Sequence, residues 1–169
     1  MTENMAVIPE VWPVAADRAG IWLISGMTPW YMAPVPADSE PHFEIELDLM
    51  ARGTRDRVAL MHSTSWRVDY QLGGLVATYM VVMEADDLVP GIWPGAVPVT
   101  LAALEKVGKP ASHAADEAPS PSHFHVLAHG LRHLRFLVEY DPANAAAMGP
   151  LMRQHLEPLT PALAGLYAA

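Results

Sequence analysis

The strongest strand pattern in the chain lies between Val58 and Glu84 and reads VALMHSTSWRVDYQLGGLVATYMVVME. Apolar and polar residues alternate through the part that precedes the two glycines, as in a strand with one buried face. Gly73 and Gly74 can adopt the positive φ of a tight hairpin turn. The stretch therefore predicts a long β-hairpin in which Val68 lies opposite Tyr79.

Two further strands are predicted upstream, and the prolines limit where they can lie. None of the 16 prolines falls between Pro41 and Pro90. Within that interval, residues 43–50 alternate with a period of two, which predicts a strand with carboxylates on its wet side, namely Glu44, Glu46 and Asp48. Residues 21–27 predict another strand, joined to the first by a proline-rich connection over residues 28–41.

The C-terminal half carries helical patterns. From His123 to Tyr140, apolar residues recur at steps of three and four, and Ser122 is a suitable N-cap. Shorter helices are predicted at about residues 98–107 and 142–168, where prolines punctuate the pattern. Residues 108–121 are polar, small and proline-bearing, which predicts a mobile loop.

Strands followed by helices predict an α+β fold. We expect one domain over residues 1–169, built from an antiparallel meander of three to five strands at about residues 20–85. The helices predicted at about 98–107, 122–140 and 142–168 are expected to pack on one face of that sheet.

Composition excludes several classes of function. The 169 residues carry a net charge of −9, are 51% hydrophobic and include no cysteine. No disulfide framework, thiol nucleophile or cysteine-ligated metal is therefore expected. The acidic balance disfavours nucleic acid. Prolines interrupt the longest uncharged stretches, which argues against a membrane span, and no signal-like start is visible, so a cytoplasmic location is expected.

Histidines provide the main candidate site. His125, His129 and His133 follow at steps of four and so share one side of the predicted helix. That side also carries apolar residues, so it is expected to pack against the sheet. His62 interrupts the inward face of its strand, and a buried imidazole needs a partner for each ring nitrogen. We therefore predict that His62 meets the helical histidines.

A divalent metal, with zinc as the leading candidate, is one interpretation of this cluster. His129 and His133 have the spacing of the helical zinc pair in metalloproteases, but Gly130 stands where their general-base glutamate would be. His125 and His133 lie about 12 Å apart along the axis, so only neighbouring histidines could share an ion. The alternatives are packing residues on a half-buried helix and metal-free acid–base groups.

Arg67 is the second candidate. Regular alternation places it on the opposite strand face from His62, beside Ser65, where it could hold a carboxylate or phosphate. The alternative is a solvated face on which Arg67 pairs with Glu84 or Asp69. The candidate catalytic residues are therefore His62, Arg67 and His129, and the candidate metal ligands are His125, His129 and His133.

The leading interpretation is a small-molecule enzyme, such as a hydrolase or lyase, centred on histidines. The alternative is a non-catalytic interaction module that binds a protein partner or forms a homo-oligomer through the helix at residues 123–140. A third possibility is a module that binds a small apolar acid through Arg67.

Overall fold

The computed structural model describes residues 5–36, 38–86, 88–104 and 122–163. The strands are β1 (Ala6–Asp17), β2 (Gly20–Leu23), β3 (Trp30–Tyr31), β4 (Val58–Asp69), β5 (Gly74–Met83) and β6 (Val97–Pro98). The helices are α1 (Pro41–Ala51), α2 (Val89–Ile92), α3 (Leu101–Leu104), α4 (His123–Tyr140), α5 (Pro142–Ala147) and α6 (Gly149–Leu156).

The strands form one mixed sheet in the order β4-β5-β1-β2-β6, with β3 also paired to β1. β1 and β5 run parallel, from Ala6 beside Gly74 to Ala15 beside Met83. The other named pairings are antiparallel. The predicted α+β class is confirmed, with a mostly antiparallel sheet. Its central strand β1 begins well before residue 20, where the sequence patterns placed the first strand.

β1 was not predicted from the sequence because it contains two prolines. Pro9 accepts a hydrogen bond from the Met32 backbone N–H at 3.0 Å, and Pro13 accepts one from the Ile24 N–H at 2.9 Å. Both prolines therefore face the side of β1 where the short strands β2 and β3 lie. The N–H groups that these prolines lack would have pointed toward the short strands. The continuous hydrogen-bond ladder between β1 and β5, on the other side, is therefore intact.

The β4–β5 hairpin is real, but its predicted register is wrong. Val68 pairs with Leu75, not Tyr79, because the loop contains four residues, 70–73. The Asp69 carboxylate accepts hydrogen bonds from the backbone N–H groups of Gln71 and Leu72, which stabilises this longer turn. Gly73 closes the turn with a φ of 71°.

A β-bulge divides β4 into two halves. Ser63 pairs with Tyr79 while Ser65 pairs with Thr78, so Thr64 is the extra residue. Side chains beyond the bulge therefore swap faces. The alternation that turns His62 inward predicts the same direction for Trp66, but Trp66 lies on the other face and is 72% exposed.

Helices cover both faces of the sheet, and each face has its own core. Trp12, Val14 and Met80 pack with α3, α4 and α6 on one face, called here the α4 face. Val11, Ala15 and Val81 pack with α1 and α2 on the other, the α1 face. The helices expected to share one face do so. The helices on the opposite face are α1, which was predicted as a strand, and the short α2.

The prediction of a strand over residues 43–50 is wrong, because this segment belongs to α1. The apolar residues of this segment recur every two positions, so Ile45 and Leu49 lie four residues apart. That spacing also fits one side of a helix, and these are the residues that α1 buries. Pro41 suits the first turn of a helix. The three carboxylates do not share a face: Asp48 pairs with Arg52 and Glu46 with Arg55.

The remaining organisational predictions have mixed outcomes. The connection at residues 28–41 contains β3 and a β-bridge between Val7 and Val35. The predicted loop at 108–121 lies outside the described residues, as do 105–107 and 164–168 of the predicted helices. In the part of the chain that is described, no helix is long and apolar enough to cross a membrane.

Candidate functional site

The candidate site lies between α4 and the sheet, where the helix comes very close to β5. A Cβ atom built on Gly130 would lie 2.3 Å from the Met80 sulfur. This residue therefore lets the helix backbone approach the sheet, which explains a glycine at the position of a metalloprotease glutamate. The close approach brings the next helical turn, with His133, down to β4.

His62 and His133 form a direct imidazole pair across this interface. Their Nε2 atoms are 3.1 Å apart, and the ring centroids are separated by 5.0 Å. His133 is 7% exposed, whereas His62 is only partly buried. The prediction that His62 meets the helical histidines is confirmed for His133.

Burial keeps both rings of the pair uncharged at neutral pH. Loss of hydration lowers the pKa of His133 to about 4, and the neighbouring His62 ring contributes to the same shift. Burial also lowers the pKa of His62, although Asp141 opposes this shift. Two neutral imidazoles can share one proton between their facing nitrogens.

Hydrogen-bond accounting favours one tautomer of this pair. The Nδ1 atom of His133 is buried and has no hydrogen-bond partner among the described residues. A bare lone pair at that position costs less than an unsatisfied N–H donor. We therefore assign the shared proton to His133 Nε2, which donates to His62 Nε2 and leaves the second proton of the pair on His62 Nδ1.

The other helical histidines have different surroundings. His125 Nδ1 is 2.6 Å from the hydroxyl of Ser122, which also caps the helix. His129 is half-buried, and loss of hydration, reinforced by Arg132 and His125, lowers its pKa to about 4. Nowhere in the described residues do three or more His, Asp or Glu side chains form a metal-binding group. Zinc binding by His125, His129 and His133 stays a prediction.

Arg67 belongs to a second polar cluster on the α4 face. The predicted pairing with Glu84 or Asp69 is wrong, because its guanidinium holds both carboxylate oxygens of Glu10. Glu10 is fully buried and Arg67 is 19% exposed at its side chain. The Trp12 indole and the Thr78 hydroxyl also donate to Glu10, at 3.0 and 3.2 Å. Burial alone would raise the pKa of Glu10, but these donors hold it below its usual value.

The bulge in β4 decides where Arg67 points. His62 pairs with Met80 and Arg67 with Val76, and both partners lie on the same face of β5. The prediction that Arg67 and His62 lie on opposite faces is therefore wrong. Both terminal nitrogens of the guanidinium contact Glu10, and one of them also contacts Thr78, so Arg67 positions the Glu10 carboxylate.

Glu10 is the main site residue that sequence reasoning missed. A lone carboxylate inside the apolar run 6–16 was a signal, because a buried charge requires a partner. The prolines that flank it concealed the strand. Tyr31, on the neighbouring strand β3, extends the cluster: its hydroxyl is 3.2 Å from His123 Nε2. Burial and the Glu10 charge raise the pKa of Tyr31 to about 12.

The helix at 123–140 uses its apolar surface inside the chain. Eight of its residues are buried, including Leu131, Leu134 and Leu137. Its large exposed apolar side chains are Phe124 and Tyr140, one near each end. The apolar character that suggested docking through this helix is therefore accounted for by intramolecular packing.

The arrangement thus offers one titratable pair with access to solvent and one closed ion-pair cluster. No protein-family model matches the sequence, and comparisons with curated proteins and with solved structures find no similar chain.

Proposed function

We propose that this protein is a small-molecule enzyme of the hydrolase or lyase type, with the His62–His133 pair as its general base. The observation that carries the proposal is the 3.1 Å contact between the two Nε2 atoms. A general base must be unprotonated at working pH, and the lowered pKa values of both rings meet that requirement.

The pair can take up one proton through His62, the more exposed ring. In the tautomer that acts as a base, His62 Nε2–H donates to His133 Nε2 and His62 Nδ1 presents a lone pair. This state puts an N–H on the buried His133 Nδ1, at a cost of about 1–3 kcal/mol. When His62 Nδ1 takes a proton from water or a substrate carbon, the positive charge is shared across the N–H···N bridge.

The proposal has a metal-dependent form. Two nitrogens bound to one zinc ion at about 2.0–2.1 Å lie roughly 3.3 Å apart in a tetrahedral site. The observed Nε2 separation of 3.1 Å is close to that value. Elemental analysis of untagged protein, with and without His133→Gln, distinguishes the two forms. The absence of a nucleic-acid substrate, which the acidic charge favours, remains part of the proposal. The cytoplasmic location expected from the sequence pattern also remains part of it.

Hydrolysis of a panel of activated esters, amides and phosphoesters tests the enzyme proposal. We expect His62→Gln and His133→Gln to lower the rate on a responsive substrate by about 10²-fold or more. His42→Gln is the matched control, because His42 is exposed on α1, on the other face of the sheet. The rate should rise with pH and reach its plateau before pH 6.5, because the neutral form of the pair is the active one.

Equal losses in His62→Gln and His42→Gln would mean that the rate comes from ordinary surface imidazole, which contradicts the proposal. Nitrogen-15 NMR of the histidine rings tests the pair without a substrate. Neutral signals for His62 and His133 at pH 7 and a coupled titration below pH 6 are expected. Two independent titrations near pH 6.5 would remove the pair as a functional unit.

A second candidate function, self-assembly, is supported by the opposite face of the molecule. β4 is an edge strand, and beyond its bulge it exposes Trp66 and Val68, followed by Tyr70 in the loop. An open edge with exposed apolar side chains is a template for antiparallel pairing with the same strand of a second copy.

Light scattering tests this candidate. The assembly proposal expects a dimer that becomes monomeric in Trp66→Ser, whereas the matched substitution Met50→Ser, at an exposed apolar residue on α1, leaves the dimer intact. A monomer at all concentrations would exclude assembly through β4.

A further inference from the structure

A cavity separate from the histidine pair lies between the β2–β6 end of the sheet and the beginning of α4. Its volume is about 420 Å³. Sites for small molecules are usually about 300–1,000 Å³, and most of their lining is apolar. Side chains from three strands and one helix converge here, including Trp12, Leu23, Val97, Val99, Phe124 and Leu127.

The wall formed by Trp12 is apolar because its polar atom points elsewhere. The indole N–H donates to Glu10 at 3.0 Å. A ligand lying against this ring therefore deprives no protein donor of its partner. The Glu10 carboxylate that holds the Trp12 indole is neutralised by Arg67, and the chain as a whole carries a net charge of −9. An anionic ligand gains nothing in such surroundings.

Among the described residues that line the cavity, those with polar side chains are Thr100, Ser122 and His123. The Ser122 hydroxyl already contacts the His125 ring and backbone. His123 Nε2 is held by the Tyr31 hydroxyl. Of these three side chains, the groups left to contact a ligand are the Thr100 hydroxyl and the second nitrogen of His123, enough for one polar substituent.

The entrance also carries apolar side chains. Met27 is 76% exposed and Phe124 is 41% exposed, and both line the cavity. Exposed apolar groups around a concave apolar site are typical of binding surfaces. Methionine is flexible enough to close over ligands of different shape.

From these observations we infer that the cavity binds a small, neutral, largely apolar molecule that carries one hydrogen-bonding group, oriented toward Thr100 and His123. The histidine pair lies about two helical turns away along α4, beyond the contact between Gly130 and Met80. The inference therefore does not depend on the proposed catalytic role of that pair.

Binding of N-phenyl-1-naphthylamine, a neutral aromatic amine whose fluorescence rises in apolar surroundings, tests the inference on the full chain. We expect one saturable site per chain. Val99→Phe, which fills the cavity from its rim, should weaken binding at least about tenfold. The matched control is Leu151→Phe, in a different surface depression beside Met148 and Met152, and it should leave the affinity unchanged.

Methionine-methyl NMR keeps the test decisive if Val99→Phe does not fold. The probe should shift the Met27 methyl signal and leave those of Met148 and Met152 in place. The same shift should persist in His62→Gln, which separates this result from the catalytic proposal. Non-saturable binding, equal effects of the two phenylalanine variants, or an unshifted Met27 signal would overturn the inference.

Discussion

Strand β1 carries two buried carboxylates, and they point to opposite faces of the sheet. Glu10, on the α4 face, is held by side chains from distant parts of the sequence: Arg67 and Thr78, with Trp12 close by. Asp17, on the α1 face, is held by backbone N–H groups within 3.2 Å, from Ala19, Gly20 and Val89. The backbone arrangement combines a local turn at Ala19 and Gly20 with the first residue of α2, 72 residues away, whereas the side-chain arrangement links three strands.

Because the two carboxylates are held in different ways, the two faces should tolerate substitution differently. If the charge at Asp17 is removed, the groups left facing it are neutral backbone N–H donors. If the charge at Glu10 is removed, the group left facing it is the largely buried cation of Arg67. An uncompensated buried charge costs far more free energy than a weakened hydrogen bond. The α4 face should therefore be the more sensitive, and the histidine pair lies on it.

The largest effect is expected for Glu10→Gln. The substitution leaves Arg67 without a counterion, so the free energy of unfolding should fall by about 3 kcal/mol or more. Urea unfolding at pH 7 measures this change. The double variant Glu10→Gln with Arg67→Met should recover part of the loss, because it removes the stranded cation. A loss below about 1 kcal/mol in the single variant would show that water already solvates Arg67.

The sequence predicted less of this cluster than of the histidine pair, for a physical reason. A proline rule that treats every strand position alike excludes β1, because Pro9 and Pro13 lie within it. A proline weakens a strand only where its missing N–H would have bonded to a neighbouring strand, so the cost depends on which side of the strand the proline faces. That information is tertiary, so the partners of Glu10 could not be found without the sheet order.

A second prediction tests the tight contact on which the α4 face depends. Gly130→Ala places a methyl group against the side chain of Met80, which is fully buried. Overpacking should outweigh the gain in helix propensity and lower the free energy of unfolding by about 2 kcal/mol. Met80→Ala is itself destabilising because it opens a cavity, but in that background Gly130→Ala should cost much less, because there is room for the methyl group. Thermal unfolding of Gly130→Ala, Met80→Ala and the double variant measures this difference, and a Gly130→Ala protein more stable than the parent would contradict the observed packing.

The bulge at Thr64 marks the other limit of sequence reasoning. Alternation correctly indicated that His62 faces the helix, since the bulge lies after this residue. The same alternation failed for Trp66 and Arg67, because one extra residue inverts every side chain beyond it. The 43–50 segment failed differently: its period of two also satisfies a helix that buries Ile45 and Leu49.

Lowering the pH should affect the α4 face, which carries the histidine pair, before the α1 face. The pKa values of His129 and His133 are lowered to about 4, so between pH 6.5 and 4 the unfolded chain binds more protons than the folded one. Stability is therefore fully present above pH 6.5 and falls as the pH drops, by up to about 1.4 kcal/mol per pH unit for the buried His133 and by less for the half-buried His129, whose charge is partly screened by water. The lowered pKa values of Glu10 and Asp17 add to the loss only at lower pH.

Urea midpoints at pH 6.5, 5.5 and 4.5 measure this slope. The exposed His42→Gln control should retain it, whereas His133→Gln, although less stable at pH 6.5, should show a shallower decline. A stability that does not change between pH 6.5 and 4.5 would mean that both rings protonate freely in the folded state.

The smallest effect is expected for Asp17→Asn. Burial opposes ionisation of Asp17, but backbone N–H groups still hold its pKa below the usual value. In the variant, the amide oxygen can keep the bonds from Ala19 and Gly20, while the NH₂ group faces the Val89 N–H. One lost hydrogen bond predicts a decrease of about 1 kcal/mol in the free energy of unfolding. Urea unfolding beside Glu10→Gln gives the comparison directly. If Asp17→Asn cost as much as Glu10→Gln, a carboxylate held by backbone donors would be no easier to neutralise than one paired with a buried cation, and the proposed difference between the faces would not hold.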